Sequence, residues 1–243
     1  SEKFTWQIGA SKKIYNPFNI PVVYNFRQND ILNGGNGAPL TPIFHKLLSK
    51  KYKINDVVFI NLGGISNLTH VSKNKIVAFD CGPCCTLSND LIKEKNNKEF
   101  DNNGIIAAKG KVNKDIVKNF LNNKFFKLKA PKSLDRLDIN FTEIYNLNVM
   151  DGLATVNYFI AETLKLGIQS LLGKVSKIII VGGGRKNKDL LKKIKNKLNY
   201  KIILSDDLNI NGDLIESYAF AYLAIRSIKG LPISFPTTTG IKK

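Results

Sequence analysis

Histidine, methionine and tryptophan are scarce: two His, one Met and one Trp in 243 residues. Cysteine is scarcer than its clustering suggests, since all three fall at Cys81, Cys84 and Cys85. A structural zinc site needs four ligands, usually as two separated pairs, and the chain has no second pair. His45 lies on an apolar helix-like run and His70 at the end of a strand-like one, so both read as structural and no metal site is assigned. Three clustered cysteines do not make a disulfide framework, and they read as reduced, packed thiols. Long apolar runs are also missing. The longest, IIIV at 178–181, is strand-sized, well short of a bilayer span. The opening SEKFTWQIGAS has no basic end followed by an apolar segment, so no signal peptide is read there.

Acidic residues are outnumbered, 19 against 37 Lys and Arg, which leaves a net charge of +18 and a pI near 9.7. Such a balance invites a nucleic-acid partner. Arginine, however, occurs only at 27, 136, 185 and 226. The lysines are spread along the chain, and the densest group (Lys186, Lys188, Lys192, Lys193, Lys195 and Lys197) falls on the exposed face of an expected helix. No aromatic residues interleave with them, as single-strand binding would require. Neither nucleic acid nor membrane is therefore an expected partner.

What is present is an ordinary globular composition, 43% hydrophobic, in a chain long enough for one large domain or two modest ones. Residues 20–26 (IPVVYNF) read as a strand, and Pro39 to Ser49 as a helix. Residues 57–62 and 65–72 form a hairpin about Gly63–Gly64, and 75–80 a third strand ending on Asp80. Helices are expected near 86–95 and 113–123, with the weakly patterned APKSLDRLDIN after them. A strong helical pattern then runs from Asp151 to about Leu172. Strands at 177–181 and 201–204 bracket the turn GGGRKN and a basic helix to Leu198. A last helix covers about 213–229, and the tail LPISFPTTTG reads as extended. Hairpin, third strand and helix–strand–helix–strand–helix amount to a mixed sheet flanked by helices.

Four stretches could carry chemistry. FRQNDILNGGNGAPLTPIF (26–44) sets Arg27 and Asp30 before a loop with three glycines. A plain turn uses such residues for backbone habit alone, whereas a phosphate-handling site uses glycine N–H groups together with a proton-accepting carboxylate. VVFINLGGISNLT is either an ordinary hairpin or a turn whose N–H groups face phosphates. KIIIVGGGRKN joins a buried strand to a helix through three glycines, an arrangement suited to an anion, although its spacing is neither GxGxxG nor a P-loop. APKSLDRLDIN offers Lys132, Ser133 and Arg136 either as solvated charges or as a polar wall for a sugar or carboxylate.

Taken in order, FTWQIG, IPVVYNFRQND, GGNGAPLTPIFH, NLGGISNLT, FDCGP, PKS…R…N, VGGGRKN, ESYAFAYLAIR and TTTG resemble the anhydro-N-acetylmuramic acid kinase family nearly end to end. The resemblance implies an α/β, actin/hexokinase-like ATPase (ribonuclease H-like) fold with its N-terminal lobe largely missing. Residues 1–55 would be the remnant of that lobe, with the catalytic loop and crossing helix. Residues 56–243 would be the C-terminal nucleotide-binding lobe, its tail 230–243 returning toward the first. It also implies ATP as co-substrate, Mg²⁺, a cytoplasmic setting, and conversion of 1,6-anhydro-N-acetylmuramic acid and water to N-acetylmuramic acid 6-phosphate in peptidoglycan recycling. A homodimer stays open.

Carried over by position, Asp30 is the catalytic base and Arg27 its helper. Gly63, Gly64, Asn67, Gly182, Gly183, Gly184 and Asn187 bind nucleotide; Lys132, Ser133 and Arg136 bind sugar. The chain departs from the family at Ala10 and Asn25, where Asp is usual, and at Cys84–Cys85, where Gly-Asn is usual. PKSLDRL also replaces PKSTGRE. No GTSxDG-like phosphate loop occurs, so the sequence, which opens on Ser1, reads as truncated and inactive on its own. The alternative is a non-catalytic relative that binds nucleotide or muramyl sugar.

Overall fold

A computed structural model describes residues 5, 7, 9–73, 75–135 and 138–242, leaving out the side chains at 12, 15, 16 and 18. Five strands form one sheet in the order β3-β2-β1-β4-β5. They are β1 (Val57–Leu62), β2 (Ile65–Val71), β3 (Ile76–Pro83), β4 (Lys177–Val181) and β5 (Ile202–Leu204). β2 runs antiparallel to both neighbours, while β1, β4 and β5 are parallel. That order and direction are the ribonuclease H-like arrangement the resemblance implies.

The helices are α1 (Ser11–Phe18), α2 (Gln28–Leu32), α3 (Pro42–Lys51), α4 (Cys85–Asn96), α5 (Lys114–Leu121), α6 (Val149–Gln169), α7 (Lys188–Lys197) and α8 (Ile215–Ile228). Strand periodicity divides them between the two faces. Val58, Ile60, Leu62, Leu68, Phe79, Ile178 and Ile180 point to one face, where they bury against α4, α6 and α7. Val57, Phe59, Val71, Ile179 and Val181 point to the other, against α3 and α8. α6 is apolar nearly all round because it lies centrally: the sheet is on one side, and α4, α5 and α7 are around it. Its first turn is capped by Asn148, whose Oδ1 accepts from the Asp151 N–H at 3.0 Å.

Most expected elements stand within a few residues of their predicted ends. The strand expected at 20–26 is absent. These residues form no ladder, Ile20 and Tyr24 are exposed, and Asn25 has φ +57°. A β-branched run forms a strand only where a sheet edge receives its N–H groups. The edge of β3 is already occupied. Ala78 N–H donates to Thr237 O at 3.1 Å and Asp80 N–H to Lys132 O at 3.0 Å. For the same reason the tail is not simply extended: residues 236–239 turn, with Thr238 and Thr239 N–H both donating to Phe235 O.

The histidines are structural, as expected. His45 on α3 is stacked on Phe59, 4.7 Å between centroids, and its Nδ1 is 2.9 Å from Thr69 Oγ1. His70 Nε2 is 3.1 Å from Lys174 O. Burial pushes the His45 pKa down from 6.5 to about 3. The imidazole is therefore neutral in the fold and must gain a proton on unfolding below pH 6.5. Its contribution to stability is full above that pH and is lost on acidification toward pH 3, by up to about 1.4 kcal/mol per pH unit. Urea titrations at pH 7, 6, 5 and 4 should show this slope, and His45→Phe should remove that part of it.

Candidate functional site

Two groups of predicted residues collect at the carboxyl ends of β1, β3 and β4. The first lies where the β1–β2 turn meets the turn after β4. Gly63, Gly64, Gly183, Gly184 and Asn187 line one cleft of about 420 Å³, which Leu62, Cys85, Ser88, Asn89, Phe100–Asn103 and Lys186 complete. The start of α4 is laid directly on the first turn: Cys84 and Thr86 N–H donate to Gly64 O, and Cys85 N–H to Gly63 O. The partial positive charge of that helix end thus sits behind the glycines. Asn187 has a second duty, since its Oδ1 caps α7 by accepting from Leu190 N–H at 3.0 Å.

Arg185, read only as part of a motif, holds the second turn in place. It is 5% exposed. Its Nε and Nη2 donate to the two carboxylate oxygens of Asp206 at 2.6 and 3.1 Å. Its Nη1 donates to Asp213 Oδ1 and to Gly182 O. The glycine turn is thereby tied to the 205–213 loop by a fork that Lys could not reproduce. This cation pulls the Asp213 carboxyl down to about 2, with help from Lys186. Lys188, Lys192 and Lys195 are exposed as predicted. Lys193 and Lys197 are half-buried and pair with Asp189 and Glu162.

The second group surrounds the outer edge of β3. Asp30, on the five-residue α2 that pattern reading did not anticipate, is 2% exposed. Its Oδ2 accepts from Gly37 N–H at 2.7 Å and its Oδ1 from the Thr239 hydroxyl at 2.6 Å. A side chain at Gly35 would overlap this carboxylate. The glycine loop is thus wrapped around Asp30, and the C-terminal tail closes over it. Arg27 Nη1 donates to Gly37 O at 2.6 Å, and its charge also acts on Asp80. Asp80 Oδ2 accepts from Ser133 Oγ at 3.1 Å and Leu134 N–H at 2.9 Å. Burial pushes the Asp80 carboxyl up, and these two bonds, with Arg27 and Lys132, oppose it.

Lys132 and Ser133 are turned inward. Lys132 Nζ donates to Phe125 O at 3.0 Å and lies 4.3 Å over the Phe125 ring. Burial lowers its pKa. Arg136 lies outside the described residues. It is Leu134 and Asp135 that line a larger cavity, of about 620 Å³, together with Thr86, Asn140 and Tyr145, and this cavity shares Gly64 with the first cleft.

A row across the sheet joins the two groups. Asn61 pairs with Asn67, and Asn67 with Asp80, so their side chains share one face. Strand spacing puts about 10 Å between the ends of this row. Among the described residues no donor reaches the buried Asn67 Oδ1. Asn61 and Asp80 escaped pattern reading because polar residues ending apolar strands carry no periodic signal. Phe100 escaped too: an aromatic in an Asn/Lys-rich stretch, 59% exposed at the cleft. Asp30 does not line the glycine cleft, so the cavity expected to unite it with the 63–64 and 182–184 turns is not formed by these residues alone.

Comparison with known proteins places the chain in a family. The profile of the anhydro-N-acetylmuramic acid kinase family matches residues 1–243. The curated anhydro-N-acetylmuramic acid kinase of Zymomonas mobilis is 39% identical over 240 residues, 98% of this chain and 66% of that protein. The one from Pelagibacter ubique is 41% identical over 254 residues, 100% of this chain and 68% of that protein. The chain thus spans about two thirds of the length of these relatives. On the match over its whole length, the chain belongs to the anhydro-N-acetylmuramic acid kinase family.

Proposed function

We propose that the chain is the larger part of an ATP-dependent kinase that opens the ring of 1,6-anhydro-N-acetylmuramic acid with water and phosphorylates O6, giving N-acetylmuramic acid 6-phosphate and ADP. One observation carries this reading. The two glycine turns wall a single cleft, and a polar row, Asn61–Asn67–Asp80, leads from it to Arg27 and the 132–134 segment.

In this reading the nucleotide's phosphates lie against Gly63 and Gly64, with the start of α4 behind them. The Gly182–Gly184 turn and Asn187 face the nucleoside, and Phe100 offers a flat surface to its base. The acceptor sugar takes the neighbouring cavity. Gly64 borders both spaces, and Leu134 connects the cavity wall to Asp80. Lys132 and Ser133 then act on the sugar by shaping the 131–135 segment. Among the described residues no cluster of three His, Cys, Asp or Glu could cage a metal, so Mg²⁺ would be held chiefly by the phosphates, with Asn67 Oδ1 the unsatisfied oxygen this chain offers. When bound it would neutralise charge on the transferred phosphoryl group.

Asp30 is the proposed base for the attacking water, helped by Arg27. That role requires its bonds to Gly37 and Thr239 to give way to water when substrate binds. Its burial, on a cavity separate from the glycine cleft, favours a second reading, a non-catalytic relative that binds nucleotide or muramyl sugar. A coupled ADP-release assay on the full-length protein with the anhydro sugar separates them. Turnover is expected. Asp30→Asn should abolish it while leaving nucleotide affinity unchanged. An active Asp30→Asn enzyme would exclude the base, and sugar binding without turnover in the unmodified protein would select the second reading. No described helix is long and apolar enough to cross a membrane.

A further inference from the structure

The three thiols, Cys81 on β3 and Cys84 and Cys85 at the start of α4, are not all alike. Cys81 and Cys84 are buried. Cys85 is half-buried and lines the glycine cleft. Its Sγ is 3.6 Å from Leu62 O and 3.9 Å from Cys84 Sγ. A Cβ added to Gly184 would come within 2.9 Å of that sulfur. The sulfur therefore stands between the two glycine turns, on the floor of the space in which a nucleotide is proposed to lie.

We propose that Cys85 is a covalent modification site within the cleft, taking small disulfides, and that its adduct and a bound nucleotide exclude each other.

Three features make Cys85, and not its neighbours, the nucleophile. It is the first residue of a 12-residue helix, where the helix end favours an anion. The Cys84 and Cys85 thiols lie side by side, either able to donate to the other, and this pairing holds the Cys85 pKa below its ordinary value against the effect of burial. Cys84 is correspondingly pushed up, as is Cys81 through burial, so neither presents a thiolate. Finally, only Cys85 opens on a cavity of about 420 Å³, enough for a disulfide reagent to approach along the line of attack. In the reaction, the Cys85 thiolate attacks one sulfur of R–S–S–R. A new S–S bond forms, the old one breaks, and R–S⁻ leaves with the electron pair. No further oxidant is needed, because the disulfide is itself reduced.

The exclusion half of this inference rests on the nucleotide reading of the cleft, whereas the modification half does not. The test is reaction of the native protein with an aromatic disulfide (Ellman's reagent), followed by absorbance and by peptide mass spectrometry. One equivalent of thiolate should be released quickly, with the adduct on Cys85. Cys85→Ser should abolish the fast phase, and Cys84→Ala should slow it several-fold while leaving the adduct on Cys85. Saturating ATP should slow labelling at least tenfold, and the labelled protein should bind a fluorescent ATP analogue at least tenfold more weakly. A fast adduct on Cys81 or Cys84, or no labelling before unfolding, overturns the proposal. So does labelling at an unchanged rate under ATP when the fluorescent analogue is seen to bind. If the analogue does not bind the unlabelled protein but Cys85 still reacts, the nucleotide reading fails and the thiol site stands.

Discussion

Gly182→Ala should lower the unfolding free energy by about 2–4 kcal/mol, whereas Gly183→Ala should leave it within about 0.5 kcal/mol and instead weaken nucleotide binding at least tenfold. The two residues are adjacent, yet they meet different obstacles. Gly182 sits at φ +86° and ψ 168°, a region essentially closed to other residues. A Cβ there would overlap Asn61 Oδ1 and press on the Leu62 carbonyl oxygen at 2.8 Å. Those atoms belong to β1, in the middle of the sheet, and cannot retreat without disturbing the core. Backbone strain and clash therefore both oppose the substitution. Gly183 has nothing within 4 Å of its would-be Cβ, and it lines the cleft. The fold tolerates a methyl group at 183, but a nucleotide lying on that backbone would not. Urea unfolding and titration with a fluorescent ATP analogue, run on both variants, read the two effects separately. Unchanged affinity in Gly183→Ala would show that the nucleotide does not approach this turn.

The largest loss of stability is expected from Phe159→Ala, at about 3–5 kcal/mol, with Phe159→Leu costing about a third of that. Phe159 is fully buried on α6. Its ring meets Phe120, Phe126 and Phe141 at centroid distances of 5.6, 5.7 and 5.7 Å, all in edge-on geometry. These partners come from α5 and from the irregular segments that follow it, which have little regular structure of their own. The removed ring leaves a cavity bounded by three aromatic edges that are themselves anchored elsewhere, so collapse is limited. A domain stability of about 5–15 kcal/mol makes such a loss a large fraction of the whole. Urea midpoints for the two variants check both the size and the order. Because Phe126 and Phe141 flank the 131–135 segment, Phe159→Ala should also raise hydrogen exchange there more than in β1 or β4.

Element type was legible where one periodicity dominated. β1 and β4 are short β-branched runs, α6 a long apolar helix, and the glycine turns stand between them; each is a local property. The fold class follows from their order, since a hairpin followed by alternating helices and strands has few ways to pack. Asn187 was legible as part of a site, but its capping role needed the α7 start to be seen. IPVVYNF was misread for a physical reason: β propensity describes a residue's fit to a sheet, and the outer edge of β3 is taken by the carbonyls of Lys132 and Thr237. Within residues 96–140 only the helix near 113–123 was legible, because the segment after it is ordered by contacts such as the Phe159 aromatic cluster and not by local pattern.

The site divides along the same line. By itself the sequence picked out the glycine turns and the carboxylate as candidates for phosphate and proton chemistry, through glycine spacing, and the family through the order of nine motifs. Only the tertiary structure decided that Asp30 is buried and bonded to Gly37 and Thr239, that Lys132 and Ser133 face inward, and that Asn61, Asn67 and Asp80 form one row. It also decided that Cys85 opens on the cleft while Cys84 does not. Spacing along a chain reports what one element can present to a face. Whether that face meets a cavity, a partner or the core depends on residues far away in sequence, here Thr239, 209 positions from Asp30.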